Sequence, residues 1–146
     1  MYKRQRYKNR AAYAAVIAAV TVEETVRVDR VWCVADAGLV VNPDGARNQL
    51  EGGIVQAVSW TLKEQVRLDG QGIASRDWDS YPILRFSEVP EMQVEFVDAN
   101  GNPALGVGEC TVGPTAAAIG NAVNHALGVR IHDMPLTRER ILAALA

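Results

Sequence analysis

Cysteine is scarce in this chain of 146 residues: Cys33 and Cys110 are the only two, far apart, with no Cys-x-x-Cys pair. A structural zinc site draws on about four Cys or His ligands at short spacings, and an iron–sulfur cluster on about four thiolates, so the sequence excludes a cluster of its own. Long hydrophobic runs are missing too. The run from Ala11 to Val20 is ten residues long, against the roughly 20 that a membrane-spanning helix needs. A charge excess is also lacking, since the net charge is −2, which gives no global drive toward nucleic acid or an anionic membrane. Aromatic residues make up 6%, and Trp32, Trp60 and Trp78 read as core or interface residues before cofactor platforms.

What charge there is divides unevenly. Lys3, Arg4, Arg6, Lys8 and Arg10 place five of the 15 basic residues in the first ten positions, leaving ten basic against 17 acidic residues, a net of −7, in the body. A basic start followed by an apolar run imitates a secretory signal. Here the run passes directly into "TVEETVRVDRVWCVAD", whose β-branched alternation favours a strand or hairpin. Residues 1–10 are therefore read as a basic leader outside the fold, and residues 11–146 as the folded part.

Hydrophobic content of 49% is enough for a real core. From Tyr13 to Val34 the pattern is β, with Val26, Val28 and Val31 alternating against Arg27, Asp29 and Arg30 until the register slips. Gly38 allows a positive φ, and Asn42-Pro43-Asp44-Gly45 marks a stop and a helix entry. Leu50, Ile54, Ala57, Val58, Thr61 and Leu62 recur at helical spacing between Arg47 and Glu64. Gly52 and Gly53 interrupt that helix. Each costs up to about 1 kcal/mol relative to Ala, which points to a close approach by a ligand or by a neighbouring backbone. A turn at Asp69-Gly70, a strand from Met92 to Val97, a helix from Pro114 to Leu127 stopped by Gly128, and a helix from Arg138 capped by Thr137 complete the reading. Pro82 and Pro90 confine their segments to loops or sheet edges. Strands and helices without a βαβ rhythm predict an α+β fold with a mainly antiparallel sheet and packed helices.

The stretch "LGVGECTVGPT", Leu105 to Thr115, sets Glu109 among Gly106, Gly108 and Gly113 ahead of an alanine-rich helix. Gly108 to Thr115 has the glycine spacing of a phosphate-binding loop, but Pro114 stands where that loop needs its lysine. The dinucleotide fingerprint fails at Thr111, where a third glycine belongs. Two readings of Glu109 stay open: a loop carboxylate favoured by the nearby helix N-terminus, or a general base with room cleared around it for a reacting group. His125 and His132 straddle a helix end and do not suggest a metal pair. Cys110 is either reactive or a small buried hydrophobe.

Taken in order, "DAGLVVNPDGARNQLEGGIVQAVSWTLKE", "SYPILRFSEVPEMQVEFVD", "LGVGECTVGPTAAAIGNAV" and "GVRIHDMPLT" resemble the C-terminal part of the molybdopterin-binding large subunit of the xanthine dehydrogenase/aldehyde oxidase family, and in particular its isoquinoline 1-oxidoreductase β-subunit type. The resemblance implies a piece of a larger molybdopterin-binding domain that hydroxylates an aldehyde or N-heteroaromatic small molecule with oxygen from water. It implies that Glu109 is the catalytic base beside molybdenum and that Gln49 contacts the pterin. Gly52 and Gly53 would then let the helix start lie against the cofactor, with Gly113 and Thr115 as further contacts. The cofactor is molybdopterin, its cytosine dinucleotide form being an open alternative. The implied partners are the missing upstream part of the large subunit and a small subunit that carries the iron–sulfur clusters. Cys110 departs from the family's usual Ala or Pro. The resemblance leaves the bacterial cytoplasm and periplasm both open, and it implies a fragment inactive by itself. The competing expectation is a catalytically silent binding or assembly module that keeps the fold and docks to a partner subunit.

Overall fold

A computed structural model describes residues 12–98 and 101–146; the basic leader read at residues 1–10 lies outside them. The leading β pattern resolves into a hairpin of β1 (Tyr13–Val22) and β2 (Val26–Asp36), paired antiparallel. The register slips because β2 carries an extra residue. Ala19 pairs with Arg30 but Val20 pairs with Val28, leaving Asp29 unpaired at the shift. This bulge lets Val28 and Val31, three apart, both turn inward, which strict alternation forbids. Thr21 Oγ1 donates to the Asp29 carboxylate at 2.7 Å and holds the bulge.

Helix α1 (Pro43–Leu62) starts one turn earlier than its apolar periodicity suggests. Asn42 caps it by accepting from the Gly45 amide at 3.0 Å, and Pro43 occupies the first turn, where its missing N–H costs nothing. A two-residue hairpin follows, β3 (Leu68–Asp69) with β4 (Gly72–Ile73). A loop then leads to β5 (Glu91–Phe96), α2 (Val112–Leu127) and α3 (Arg138–Leu145). Gly128 ends α2 in the left-handed conformation (φ 73°), and the Thr137 side chain caps α3.

The central sheet has the order β1-β2-β5. It is mixed: β5 joins β2 in parallel, because the chain between them crosses over through α1 instead of turning back in a hairpin. Its inner face is built from rows of matched residues, Val16–Cys33–Val94 and Ala14–Ala35–Phe96 among them. Leu50, Ile54 and Val58 of α1 and Ile119 and Val123 of α2 close over this face, each large aliphatic side chain contributing about 1.5–3 kcal/mol on burial. Helix α2 packs on β1 and on α1. The outer face carries Ile17, Trp32 and Val34, with Arg30 stacked over the Trp32 ring at 5.6 Å and paired with Glu91 across the β2–β5 ladder. None of the three tryptophans enters the core. Between α1 and β5 the apolar side chains Leu68, Ile73, Trp78 and Phe86 point outward on an exposed arm. Among the described residues, no helix is long and apolar enough to cross a membrane.

Candidate functional site

The glycine-rich loop of Glu109 looks locally unsupported in the sequence, yet distant bonds hold it. Its approach runs along the ends of both long strands: Leu39 N donates to Asn102 O (3.1 Å), Leu105 N to Ala37 O (2.9 Å) and Ala12 N to Gly106 O (2.9 Å). Gly38 makes this close course possible. At φ +61° it sits against Pro103 so tightly that a Cβ would lie 2.0 Å from the Pro103 carbonyl oxygen. After Gly108 the chain turns, with Val112 N donating to Glu109 O at 3.2 Å, and enters α2.

Two buried side chains root the turn. Cys110 lies inside with its Sγ 3.7 Å from Val107 O, and Thr111 is fully buried, its Oγ1 donating to the Leu50 carbonyl at 3.1 Å. Glu109, between Gly108 and Cys110, remains exposed. Gln49, one residue before Leu50 on α1, is exposed as well, and its Oε1 lies 3.9 Å from where a Cβ on Gly108 would stand. The Gln49 carboxamide thus lies against Gly108, the residue before Glu109, although Gln49 and Glu109 are 60 positions apart in the chain. A carboxamide both donates and accepts hydrogen bonds, and an ionised carboxylate accepts them or takes a proton.

The other four expected site residues separate. Gly52 is exposed with open space in front of its Cα. Gly53 is buried and faces inward, where a Cβ would come 2.4 Å from Thr111 Oγ1, so its near neighbour in this structure is protein. Thr115 is fully buried, and its hydroxyl has no hydrogen-bond partner among the described residues. Gly113 lines an open groove of about 650 Å³ between α2 and the segment Arg130–Leu136, which also takes in His132. His125 faces a different groove, beside β1. The two histidines are therefore apart, and no cluster of metal-ligating side chains occurs among the described residues. No sequence pattern singles out Thr111; only its partner on α1 reveals its part.

Cys33 and Cys110 are free and buried. Burial pushes Cys33 up to about 12, with the neighbouring Cys110 adding to the effect, and burial pushes Cys110 up to about 11, from an ordinary value of 9.0. Both are small core hydrophobes rather than reactive thiols. Because the folded pKa values lie above the unfolded one, the unfolded chain loses these protons first. Stability is therefore unaffected by the thiols below about pH 9 and falls as pH rises toward 11–12, by up to about 1.4 kcal/mol per pH unit for each thiol. Urea midpoints measured at pH 8 and pH 10.5 should fall more steeply for the native chain than for a Cys33→Ala, Cys110→Ala variant; equal slopes would contradict the assignment.

Comparison with known proteins identifies the family. The family model described as "Molybdopterin cofactor-binding domain" matches residues 2–90. A nicotinate dehydrogenase subunit of Pseudomonas putida is 44% identical over 138 residues, covering 92% of this chain and 12% of the relative. The β-subunit of isoquinoline 1-oxidoreductase from Brevundimonas diminuta is 36% identical over 114 residues, covering 78% and 14%. The narrower resemblance to the isoquinoline type is thus one of several, and the nicotinate relative is the more similar of these two. Among solved structures, quinoline 2-oxidoreductase from Pseudomonas putida 86 superposes with a TM-score of 0.84 at 29% identity, covering 92% of this chain and 18% of that one. Aldehyde oxidoreductase from Desulfovibrio gigas gives 0.80 at 30% identity, covering 92% and 15%. The chain spans less than a fifth of the length of each of these relatives. It belongs to the molybdopterin cofactor-binding domain family and is related to the large subunit of the xanthine dehydrogenase/aldehyde oxidase enzymes.

Proposed function

We propose that this chain supplies the catalytic base and part of the cofactor cradle of a molybdenum hydroxylase acting on an aldehyde or an N-heteroaromatic substrate. The observation that carries the reading is the approach of the exposed Gln49 side chain to Gly108, beside the exposed Glu109, from a segment 60 residues away. The residues fit a large polar cofactor: a carboxamide that can both donate and accept, open space before Gly52, and a carboxylate next to a residue without a side chain. Gln49 would hold the pterin, and Gly52 and Gly113 would lie against it. Gly53 and Thr115, being buried, would support that surface from behind. When bound, the molybdenum cofactor supplies two-electron oxidation of the substrate carbon with oxygen from water.

Glu109 takes the proton released from the attacking oxygen nucleophile onto its carboxylate. Being exposed in this chain, the carboxylate is shielded from bulk water only when the remainder of the large subunit closes over it. That remainder is the first partner we propose, and the outward apolar side chains Leu68, Ile73, Trp78 and Phe86 are suited to meet it. The second is an iron–sulfur protein that carries electrons away, in keeping with relatives that are themselves named as subunits.

Co-expression with the nicotinate dehydrogenase relative, trimmed of the matching segment, tests the proposal. The expected result is a stable complex that retains molybdenum and pterin, while neither part alone does. A folded complex free of metal and pterin would favour a silent assembly module.

A further inference from the structure

We infer that Thr111 is a positioning residue, a bolt whose hydroxyl sets the distance between the carboxylate of Glu109 and the carboxamide of Gln49. The inference rests on the reading of Glu109 and Gln49 as base and cofactor ligand, and it adds what keeps them in register. Thr111 follows Glu109 by two positions, and Leu50 follows Gln49 by one. The hydrogen bond from Thr111 Oγ1 to the Leu50 carbonyl, 3.1 Å long and fully buried, therefore joins the two segments immediately behind the two exposed groups.

Gly53 completes the device from the other side. On α1 it lies one turn beyond Leu50, and a Cβ there would approach Thr111 Oγ1 to 2.4 Å, while Val112 Cγ2 at 3.6 Å and Thr111 Cβ at 3.8 Å remain in ordinary contact. The notch left by the absent side chain is thus the size of one hydroxyl. The bond from Cys110 Sγ differs in kind, since its acceptor, the Val107 carbonyl, lies in the same loop and that contact ties the turn only to itself. Because a carbonyl oxygen has two lone pairs, Leu50 can accept from Thr111 without giving up its place in the helix.

Gly53→Ala is the cleanest probe. Its methyl evicts the hydroxyl without crowding the neighbouring carbons, and alanine's better helix propensity offsets part of the lost bond. Thr111→Val removes the donor at nearly constant volume, and Thr111→Ser keeps it. In the full chain without cofactor, proton NOEs between the Gln49 side chain and Gly108 should disappear in Gly53→Ala and Thr111→Val and persist in Thr111→Ser. In the assembled enzyme the first two should lower kcat per bound molybdenum about 10- to 100-fold with KM little changed, the scale expected of a misplaced catalytic group, and Thr111→Ser should stay within about 3-fold. An NOE retained in Gly53→Ala, or kcat unchanged in both disrupting variants, overturns the inference. The NMR arm decides the bolt without reference to turnover. The base assignment is decided separately, by Glu109→Gln.

Discussion

Glu109→Gln in the assembled molybdenum enzyme is expected to lower kcat by about 10²- to 10⁴-fold, the range that a positioned general base contributes, with molybdenum and pterin content unchanged. The two side chains are nearly equal in size, and Glu109 is exposed on this chain, so the exchange removes basicity without disturbing packing. The separation of effects is what gives the experiment its force. Gln49→Ala, at the other end of the pair, should reduce cofactor content before it reduces turnover per cofactor. Turnover by Glu109→Gln comparable to the parent enzyme would sink the base assignment, whatever the cofactor content.

The largest expected loss of stability comes from a smaller change, Gly38→Ala. Its backbone is left-handed at φ +61°, and a Cβ would stand 2.0 Å from the Pro103 carbonyl oxygen and 3.0 Å from its carbon, both backbone atoms that cannot rotate away. A non-glycine residue in that conformation costs about 1–2 kcal/mol, and forced overpacking about 1–3 more. The sum, about 3 kcal/mol, corresponds to a fall of roughly 10 °C in Tm for a domain of this size. Gly70→Ala is the control, since no atom lies within 4 Å of a Cβ there. Thermal unfolding of the two variants side by side checks the difference, and equal Tm values would show that the Gly38 contact is not maintained in solution.

Local signals in the sequence reach the elements whose causes are local. The hairpin, the Asn42 cap, the stop at Gly128 and the Thr137 cap each depend on residues within one turn of the feature. The inner face of α1 follows from its apolar spacing. The parallel pairing of β5 does not, because it depends on a crossover through α1 that no window of sequence contains. The bulge at Asp29 shows in the sequence only as a lapse in alternation; its flanking pairs, Ala19 with Arg30 and Val20 with Val28, reveal the extra residue. At the candidate site, the family resemblance singles out Glu109 and Gln49, whereas nothing in the sequence singles out Thr111. Its partner is the Leu50 carbonyl, 61 positions away, and a backbone group leaves no mark in the identity of the residue that carries it. Gly53 shows the same limit: its place in the sequence demands a close neighbour, and the structure shows that neighbour to be a threonine hydroxyl.

The two long excursions of this chain differ in their tolerance to changes of length. The arm from Val66 to Trp78 carries Val66, Leu68, Ile73 and Trp78 outward, so inserted residues there would add slack without touching the core. The path from Asn102 to Gly106 is stitched to Leu39, Ala37 and Ala12 at intervals of one to three residues. One residue added to that path would slide everything after it by about 3.3 Å, more than the length of the hydrogen bond that seats Thr111. Natural or engineered variation in length therefore belongs on the arm, and the spacing from Gly38 to Glu109 can change only where the stitches are absent.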